Sequence, residues 1–435
     1  LYKLFKRMNI IKIMTDTTEF QTLTYTFNLS AYADIGKVVT DEEYAKSKHL
    51  IVKHIGNKYL IKYDKSKVTI GNTSTLGLFR SIITDGKKII SFAPPKSYNS
   101  KDEEWMQNPN KYIDDVGFKL FVLELHHEGT MINVFWDEDI EDWNIATRSN
   151  IGGRCKYFKD SEHTFRYLYL DAINKMEEFD NDYSASFNKL DKKFSYSFVL
   201  QHPKNRLVIP FQQAKLILVG KYESLDNWEV KGYKEVNKNS MVTQQYIKDH
   251  FNEETVQNGM VNQYKLVGWM IYNGGTRFKV RNPTYEKVRQ LKGNNPKLEF
   301  QFHELRKNNK IIEYLFYFPE HKEIFNGYWN KVKLFTDHLY QNYVKCYIQH
   351  QKPLKEFPYQ FRGHMFNIHQ TYLTDLKPNK LYVKWGFVKN YINDLPSARL
   401  MYSVNYEMRN VERDTAIEKD LEKQPKPEEI DFNTV

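Results

Sequence analysis

Cysteine is scarce in this chain, and long apolar runs are missing altogether. Cys155 and Cys346 are the only cysteines, and they lie far apart in the sequence. This excludes a disulfide framework and a cysteine-based zinc site, and it favours a reducing intracellular compartment. No apolar run approaches the length that a membrane-spanning helix needs. The first residues also lack the apolar core and cleavage site of a secretory signal, so we expect neither secretion nor membrane insertion.

Several common catalytic motifs are missing as well. The sequence has no Walker-type Gly-Lys-Ser/Thr loop, no Gly-rich dinucleotide turn and no serine hydrolase elbow. Apart from the adjacent pair His126-His127, the histidines are scattered without the spacing of a dedicated metal site. The sequence therefore predicts no metal ligands, and it argues against P-loop, Rossmann-type and serine hydrolase chemistry.

The chain is instead long, aromatic and basic. It has 435 residues, of which 41% are hydrophobic and 15% aromatic, a composition typical of a folded globular protein. That length exceeds what one hydrophobic core usually supports, so we expect two domains. The formal charge of +10 would suit a polyanionic partner such as nucleic acid. A diffuse excess of lysine can also serve solubility alone, so both interpretations stay open.

The first part of the chain has the pattern of a mixed sheet. Within 51–219, short β-rich apolar runs alternate with turns. One helix is predicted at Phe165–Met176, where apolar residues recur with helical spacing. A hairpin is predicted at the Asn273-Gly274-Gly275 turn, and Pro283 opens a helix that ends at Gly293. We therefore predict an α+β domain.

The residue pattern changes near Ile311. From there apolar residues recur at three- and four-residue steps over a long segment, which is typical of helices. From Glu418 the sequence is charged, contains Pro425 and Pro427 and has almost no apolar residues, which is typical of a disordered tail. We predict four segments: an extension without targeting meaning at 1–20, an α+β domain at 21–305, a helical C-terminal domain at 311–417 and a tail at 418–435.

One segment resembles a known family. Asn205-Arg206-Leu207-Val208-Ile209, with Pro203 before it and a strand at Lys215–Val219 after it, is similar to the third motif region of the type 1 RNA ligases of T-even phages. These enzymes belong to the covalent nucleotidyltransferase superfamily, which includes DNA ligases and mRNA capping enzymes. The resemblance implies a nucleotidyltransferase (ligase-like) mixed β-sheet domain followed by a mostly α-helical C-terminal domain. The helical part resembles that of a subgroup found in large DNA viruses.

Further segments resemble the other motifs of this family in the same order along the chain. His126-His127-Glu128-Gly129-Thr130 occupies the place of the Lys-x-Asp-Gly-Ser nucleophile motif. Phe79–Ile82 resembles the Arg-Gly segment that precedes it, and Ala146–Ile151 resembles the segment that follows it. Gly268-Trp269-Met270 resembles the Glu-Gly-Tyr-Val motif, and Arg277–Arg281 resembles the Phe-Lys-x-Lys motif. The resemblance covers about 76–291.

The groups on which the family's chemistry depends are altered in this chain. In the family, a lysine amine attacks the α-phosphate of ATP with the help of Mg²⁺, and the AMP then passes to an RNA 5′-phosphate. His126 stands where that lysine should be. Val267 replaces the glutamate of the Glu-Gly-Tyr-Val motif, and Ser197 aligns with the glutamate of the third motif. The resemblance therefore implies ATP and Mg²⁺ as cofactors only if the protein is active.

Most of the residues that match phosphate-contacting positions are retained or replaced by arginine, which keeps the charge and adds fork-shaped donors. The resemblance implies a nucleotide- or phosphate-binding role for Arg80, Glu128, Gly129, Arg148, Lys279 and Arg281. Plainer interpretations stay open. Glu128 and Gly129 would also suit a hairpin turn, and Lys279 and Arg281 would suit solvent-facing positions of a strand.

Three hypotheses follow from these residues. The leading one is a ligase-like protein that binds nucleotide or RNA phosphate without lysine-dependent adenylylation. The first alternative is an active ATP-dependent RNA ligase that uses His126 or another nearby nucleophile such as Lys119. The second is a viral structural or assembly protein on a ligase-like fold, with virion or assembly partners. The expected location is the host cytoplasm or the virion.

Overall fold

The computed structural model describes residues 19–99, 120–156, 162–177, 186–250, 264–411 and 413. It divides into two compact units, Leu1–Gln290 and Leu291–Val435. The described part of the first unit contains three β-sheets and several helices, and that of the second contains helices and turns. The predicted α+β class with a helical C-terminal part is confirmed. The predicted tail at 418–435, most of the extension at 1–20 and Lys119 lie outside the described residues.

The secondary structure is as follows in chain order. The strands are β1 (Phe20–Asn28), β2 (Leu50–Ile55), β3 (Lys58–Tyr63), β4 (Ile82–Thr84), β5 (Ile89–Phe92), β6 (Tyr98–Asn99), β7 (Leu120–Leu125), β8 (Thr130–Asp137), β9 (Asp142–Thr147), β10 (Asn150–Ile151), β11 (Phe194–Gln201), β12 (Lys215–Ser224), β13 (Glu229–Asn237), β14 (Met241–Thr243), β15 (Gly268–Asn273) and β16 (Thr276–Arg281). The helices are α1 (Ile35–Thr40), α2 (Glu42–Ser47), α3 (Phe165–Glu177), α4 (Gln244–His250), α5 (Pro283–Lys292), α6 (Leu298–Lys307), α7 (Ile311–Tyr317), α8 (Lys322–Tyr343), α9 (Tyr359–Thr371), α10 (Trp385–Asp394) and α11 (Ser397–Val404).

The largest sheet has seven strands in the order β1-β13-β12-β11-β8-β9-β10, and its neighbours pair antiparallel. Helix α3 covers one face, where Leu168 and Tyr169 pack in the same core cluster as Phe198 and Leu200 of β11. The predicted helix and strands of this region are confirmed. Because side chains alternate along a strand, Ser197 and Val199 face away from α3. On the opposite face, Phe135 of β8 and Ala146 of β9 pack with Ile83 of β4.

A smaller sheet of four strands, β2-β3-β4-β5, has its own core. Helices α1 and α2 contribute Ile35, Val38 and Ala45, which pack with Ile61 of β3 and with Phe79. Asp34 and Asp41 cap the two helices by accepting hydrogen bonds from backbone N–H groups, as expected at helix starts. This sheet matters for function because it positions the turn that carries Arg80.

The third sheet has five strands in the order β14-β7-β15-β16-β6, and only β6 and β16 pair in parallel among its ladders. The predicted hairpin is present as β15 and β16. One face is covered by Ile247 of α4, which packs with Trp269, Ile271 and Phe278. On the other face, Met270 and Tyr272 at one end pack against Val236 of the seven-stranded sheet. The two sheets therefore meet along part of this face.

The chain passes from the five-stranded to the seven-stranded sheet between β7 and β8. Strand β7 ends at Leu125 and β8 begins at Thr130, yet the two strands belong to different sheets. The interpretation of Glu128-Gly129 as a hairpin turn is therefore wrong, because a hairpin would join neighbouring strands of one sheet. Residues 126–129 form a crossover, and this is where the candidate nucleophile motif lies.

The second unit is built from helices around an aromatic core. Phe302 of α6 packs against Phe325 of α8, and Tyr314 of α7 stacks on Phe325 with ring centroids 5.2 Å apart. His364 of α9 forms hydrogen bonds with the hydroxyl groups of Tyr391 and Ser403, which link α9 to α10 and α11. No helix within the described residues is long and apolar enough to cross a membrane.

Candidate functional site

His126 lies at the end of β7, directly against the start of β15. Its backbone N–H donates a hydrogen bond to the carbonyl oxygen of Gly268 at 2.9 Å. Gly268 has a φ of 133°, and a Cβ atom at this position would lie 2.0 Å from the carbonyl oxygen of Val280. Only glycine avoids that clash, so the close approach of β15 and β16 beside His126 depends on it.

Strand β16 carries basic side chains on one face and core side chains on the other. Phe278 and Val280 are fully buried in the five-stranded sheet's core. Arg277, Lys279 and Arg281 alternate with them and pair in register with Tyr272, Met270 and Gly268. Because His126 continues β7 on the other side of Gly268, these three cations and His126 lie on the same face of the sheet, with Arg281 in the row of His126 and Arg277 nearest the hairpin turn. The interpretation of Lys279 and Arg281 as fully solvent-facing is not supported, since both are half-buried.

Two arginines reach the same region from other parts of the first unit. Arg80 follows the short 3₁₀ turn Leu76–Leu78 and is half-buried. Arg148 lies in the turn after β9, where its guanidinium stacks over the Tyr63 ring at 4.7 Å from the centroid. The Nη2 atom of Arg148 also donates a hydrogen bond to the carbonyl oxygen of Tyr63 at 3.1 Å. Tyr63 therefore fixes the direction of this arginine.

Electrostatic effects show that these basic groups lie close together. Burial, followed by the charges of Arg281, Lys96, Arg80 and Arg277, lowers the pKa of Lys279 to about 7. Burial, followed by the charges of Arg281, Lys279 and Arg277, lowers the pKa of His126 to about 3, so its imidazole is neutral at physiological pH. We define the cationic cluster as Arg80, Arg148, Arg277, Lys279 and Arg281, together with the neutral imidazole of His126 beside them.

The pKa of Arg80 responds to charges on β16 and to the charge of Arg148 in the turn after β9. Burial, followed by the charges of Arg277 and Arg148, lowers that pKa to about 10. Arg80 thus experiences the positive charge of β16 and also that of the turn after β9. The structure brings together five of the residues to which the family resemblance assigned a role in catalysis or phosphate binding, namely Arg80, His126, Arg148, Lys279 and Arg281.

Most of this positive charge has no carboxylate partner among the described residues. Arg281 forms an ion pair with Glu286, which also binds Arg289. No carboxylate of the described chain contacts the other three arginines or Lys279. Within the same residues, the Nε atoms of Arg148, Arg277 and Arg281 and the Nδ1 atom of His126 are buried without a hydrogen-bond partner. Buried polar atoms are rarely left unpaired, so a cluster of them marks a place that a ligand can complete.

Glu128 and Gly129 hold the crossover in place. The buried Glu128 carboxylate accepts hydrogen bonds from the backbone N–H groups of Val208 and Ile209 at 3.0 and 2.9 Å through Oε1. Burial, followed by the charge of the Glu128 carboxylate, raises the pKa of Tyr285, so the two side chains lie near each other. A Cβ atom on Gly129 would lie 2.5 Å from the carbonyl oxygen of Leu200. These contacts join the crossover to the third-motif turn and to helix α5.

The two positions where the family has glutamates lack carboxylates. Ser197 is fully buried in β11 and donates a hydrogen bond to Oδ1 of Asn133 at 2.8 Å. Val267 is buried, and its carbonyl oxygen accepts the Asn282 N–H at 2.9 Å. In the described part of the chain, no group of three His, Cys, Asp or Glu side chains could hold a metal ion. Neither family position supplies a carboxylate, the group through which proteins usually hold Mg²⁺.

The sequence analysis missed several residues of this site. Arg277 lies next to Arg80, Lys279 and His126, and the alternation of basic residues along β16 is the signal that could have identified it. Tyr63 could not be found from the sequence, because it contacts Arg148 only through the fold. At the base of the site, Lys234 of β13 binds the Glu124 carboxylate of β7 at 2.9 Å and lies 4.0 Å from the centroid of the Tyr272 ring.

Comparisons with known proteins give distant structural neighbours only. No protein-family model and no curated protein matches the chain. Two structures of an archaeal ATP-dependent RNA ligase, form 1 and form 2, are each 9% identical with a TM-score of 0.37. They cover 67% and 68% of this chain and 70% and 79% of their own. A protein described as an ATP-dependent DNA ligase from Aquifex aeolicus is 11% identical with a TM-score of 0.32, covering 78% of this chain and 80% of its own.

These neighbours agree with the ligase resemblance in kind but not in its finer detail. They are ATP-dependent ligases, as the sequence resemblance implied, but similarity at this level carries no argument about activity or substrate. They give no support to a viral subgroup or to virion partners, which stay predictions.

Replacing Glu128 tests whether its carboxylate holds the crossover. Glu128→Ala should lower the free energy of unfolding by roughly 3 kcal/mol, because it leaves buried N–H groups without an acceptor. Glu128→Gln should cost less, since its amide oxygen can still accept both N–H groups. Urea denaturation measures both, with the exposed Glu235→Ala of β13 as the control. Equal losses in the Glu128→Ala and Glu235→Ala variants would contradict this role.

Removing the charge of Lys279 should stabilise the ligand-free protein. Lys279→Met should raise the free energy of unfolding by about 1 kcal/mol below pH 7, because it removes a buried cation that has like charges around it. The folded-state pKa of about 7 lies below the ordinary value of 10.5, so the unfolded chain binds the extra proton between these pH values. Wild-type stability therefore rises across that window, and the gain from Lys279→Met should shrink.

Denaturation at pH 6 and pH 9 checks this expectation. The matched control is Lys215→Met, since Lys215 is exposed at the start of β12 and should change stability by less than about 0.5 kcal/mol. If Lys279→Met lowers the free energy of unfolding, or if its stabilising effect grows with pH, the charge of Lys279 does not destabilise the folded protein.

Proposed function

We propose that this chain is a ligase-like protein that binds the phosphate groups of a nucleotide or RNA and does not carry out lysine-dependent adenylylation. The observation that supports it is the cationic cluster: half-buried basic side chains whose charges repel one another and whose buried Nε atoms have no partner among the described residues. Phosphate oxygens supply both the negative charge and the acceptors that this arrangement needs.

The identity of the basic residues favours recognition over transfer. Guanidinium groups hold phosphate through planar, paired hydrogen bonds and stay charged at all relevant pH values. Tyr63 fixes Arg148, and the ladder of β15 and β16 fixes Arg277, Lys279 and Arg281 on a paired strand. An anion bound here would meet donors that need little reorganisation, which is the property that makes electrostatic binding strong.

The nucleophile position argues against adenylylation. A lysine amine reaches the α-phosphate on a flexible four-carbon stem, whereas the imidazole of His126 is short and half-buried at the end of β7. The Nδ1 atom of His126 is itself buried. The carboxylate positions of the family are Ser197 and Val267, so the acidic groups that accompany the lysine are missing too. We therefore infer a binding protein in which the catalytic groups have been lost.

Phosphate binding should depend on the cationic cluster and on salt. A 5′-phosphorylated RNA oligonucleotide should bind with an affinity that falls linearly on a logarithmic salt axis, because phosphate contacts release condensed counterions. The triple variant Arg148→Ala, Lys279→Ala, Arg281→Ala should weaken binding about tenfold or more. Fluorescence anisotropy against salt measures both quantities.

The matched control removes the same charge elsewhere. Lys37, Lys87 and Lys215 are exposed lysines of the first unit, and their triple alanine variant should bind nearly as well as the wild type. If both triple variants lose the same affinity, the basic charge acts only through the general surface, and the cationic cluster is not the site.

Covalent labelling tests the absence of adenylylation. Incubation with labelled ATP or GTP and Mg²⁺ should leave no label on the denatured protein, because no lysine stands at the nucleophile position. The reaction is quenched in parallel with acid and with alkali, since a histidyl phosphoramidate is acid-labile. Label that survives alkali, is lost in acid and disappears in His126→Ala would establish the active alternative with a histidine nucleophile and overturn this part of the proposal.

A further inference from the structure

We propose that the cationic cluster binds its ligand as a polyphosphate free of divalent metal, so that Mg²⁺ weakens binding instead of supporting it. This inference rests on the proposed function and deepens it by defining the ionic form of the ligand. It departs from what the ligase resemblance implies, because that resemblance would make Mg²⁺ a partner of the bound phosphates.

The described carboxylates of the site are engaged by other partners. Mg²⁺ takes oxygen ligands, usually one or two carboxylates together with phosphate and water. Glu286 binds Arg281 and Arg289, Glu124 binds Lys234, and Oε1 of Glu128 accepts two backbone N–H groups. The two positions that carry glutamate in the family are a serine bonded to Asn133 and a buried valine.

The positive charge of the site also disfavours a ligand that carries a metal ion. Arg80, Arg148, Arg277 and Lys279 present positive charge without a carboxylate partner in the described chain. A free polyphosphate matches this charge. A polyphosphate complexed with Mg²⁺ has lost part of its negative charge and would bring a further dication close to these cations. The arginines thus take over the neutralising role that a metal plays in an acidic site.

The ligand chemistry has two possible sources with the same reactive group. A nucleoside triphosphate and an RNA 5′-triphosphate both present a chain of phosphates, and the cluster recognises that chain in either. Arginine forks and Lys279 contact phosphate oxygens and carry no information about a base. The ligand is therefore defined by its polyphosphate chain, and titrations distinguish a nucleoside triphosphate from an RNA 5′-triphosphate.

Calorimetric titration with inorganic tripolyphosphate tests the inference directly. The full chain is titrated in EDTA and again in excess Mg²⁺ at the same ionic strength and pH. We expect binding in EDTA and an affinity about tenfold or more lower in Mg²⁺. Unchanged or tighter binding in Mg²⁺ would overturn the inference while leaving phosphate binding, and so the proposed function, intact. No binding under either condition would overturn both.

Two controls are needed. The first distinguishes Mg²⁺ complexation by the ligand from an action of Mg²⁺ on the protein, and the second tests whether the cluster itself is the binding site. Orthophosphate complexes Mg²⁺ weakly, so its affinity should be nearly the same under the two conditions. If Mg²⁺ weakens orthophosphate binding as strongly, the metal acts on the protein and the inference fails. Arg277→Gln should reduce tripolyphosphate affinity in EDTA, whereas Lys215→Gln, which removes an exposed charge, should leave it unchanged. Equal effects of the two variants would also overturn the inference.

Titrations with ATP and with a short 5′-triphosphorylated RNA identify the source. The tighter of the two ligands is the better representative of the natural one, and Mg²⁺ should weaken its binding as it does that of tripolyphosphate. Stronger binding of that ligand in Mg²⁺ would overturn the inference even if tripolyphosphate behaves as expected.

Discussion

The site depends on the two opposite faces of strand β16. One face has to anchor the strand, and Phe278 and Val280 do so in the core beneath α4. The other face presents Arg277, Lys279 and Arg281 where each lowers the pKa of a neighbouring basic group. The apolar face provides the free energy that holds the charged face in an unfavourable arrangement. Such strain persists in a fold when the rest of the structure can offset it, and it is commonly found where a ligand binds.

The crossover at 126–129 places His126 beside the end of this hairpin. It takes the chain from one sheet to the other, and Glu128 fixes it by accepting backbone N–H groups from Val208 and Ile209. Gly129 lets the crossover approach Leu200, and Gly268 lets β15 approach β16. Contacts from three distant parts of the sequence therefore decide where His126 lies. Glu128 is best understood as the residue that positions this segment, which differs from the direct phosphate contact implied by the family resemblance.

The positions that resemble the family's motifs differ from it in a consistent way. Basic side chains are kept or replaced by arginine, whereas Ser197 and Val267 are neutral where the family has glutamates. Ser197 donates a hydrogen bond to Asn133 in the sheet, so this position buries a paired neutral group and no charge. Val267 is buried at the start of the hairpin. Without carboxylates at these two positions the site carries more positive charge, which is why we propose a polyanion as its ligand and not a metal complex.

The sequence by itself determined the local structure and the two-sided pattern of β16. The α+β class, helix α3, the β15–β16 hairpin and the strand of the third motif follow from period-two and helical spacing, which are properties of neighbouring residues. Only the tertiary structure placed Arg80 and Arg148 beside β16, revealed the role of Tyr63 and Arg277, and showed that Glu128 and Gly129 belong to a crossover and not a hairpin. The reason is that strand order and the absence of a charge partner depend on residues far apart in the chain, and no local pattern records them.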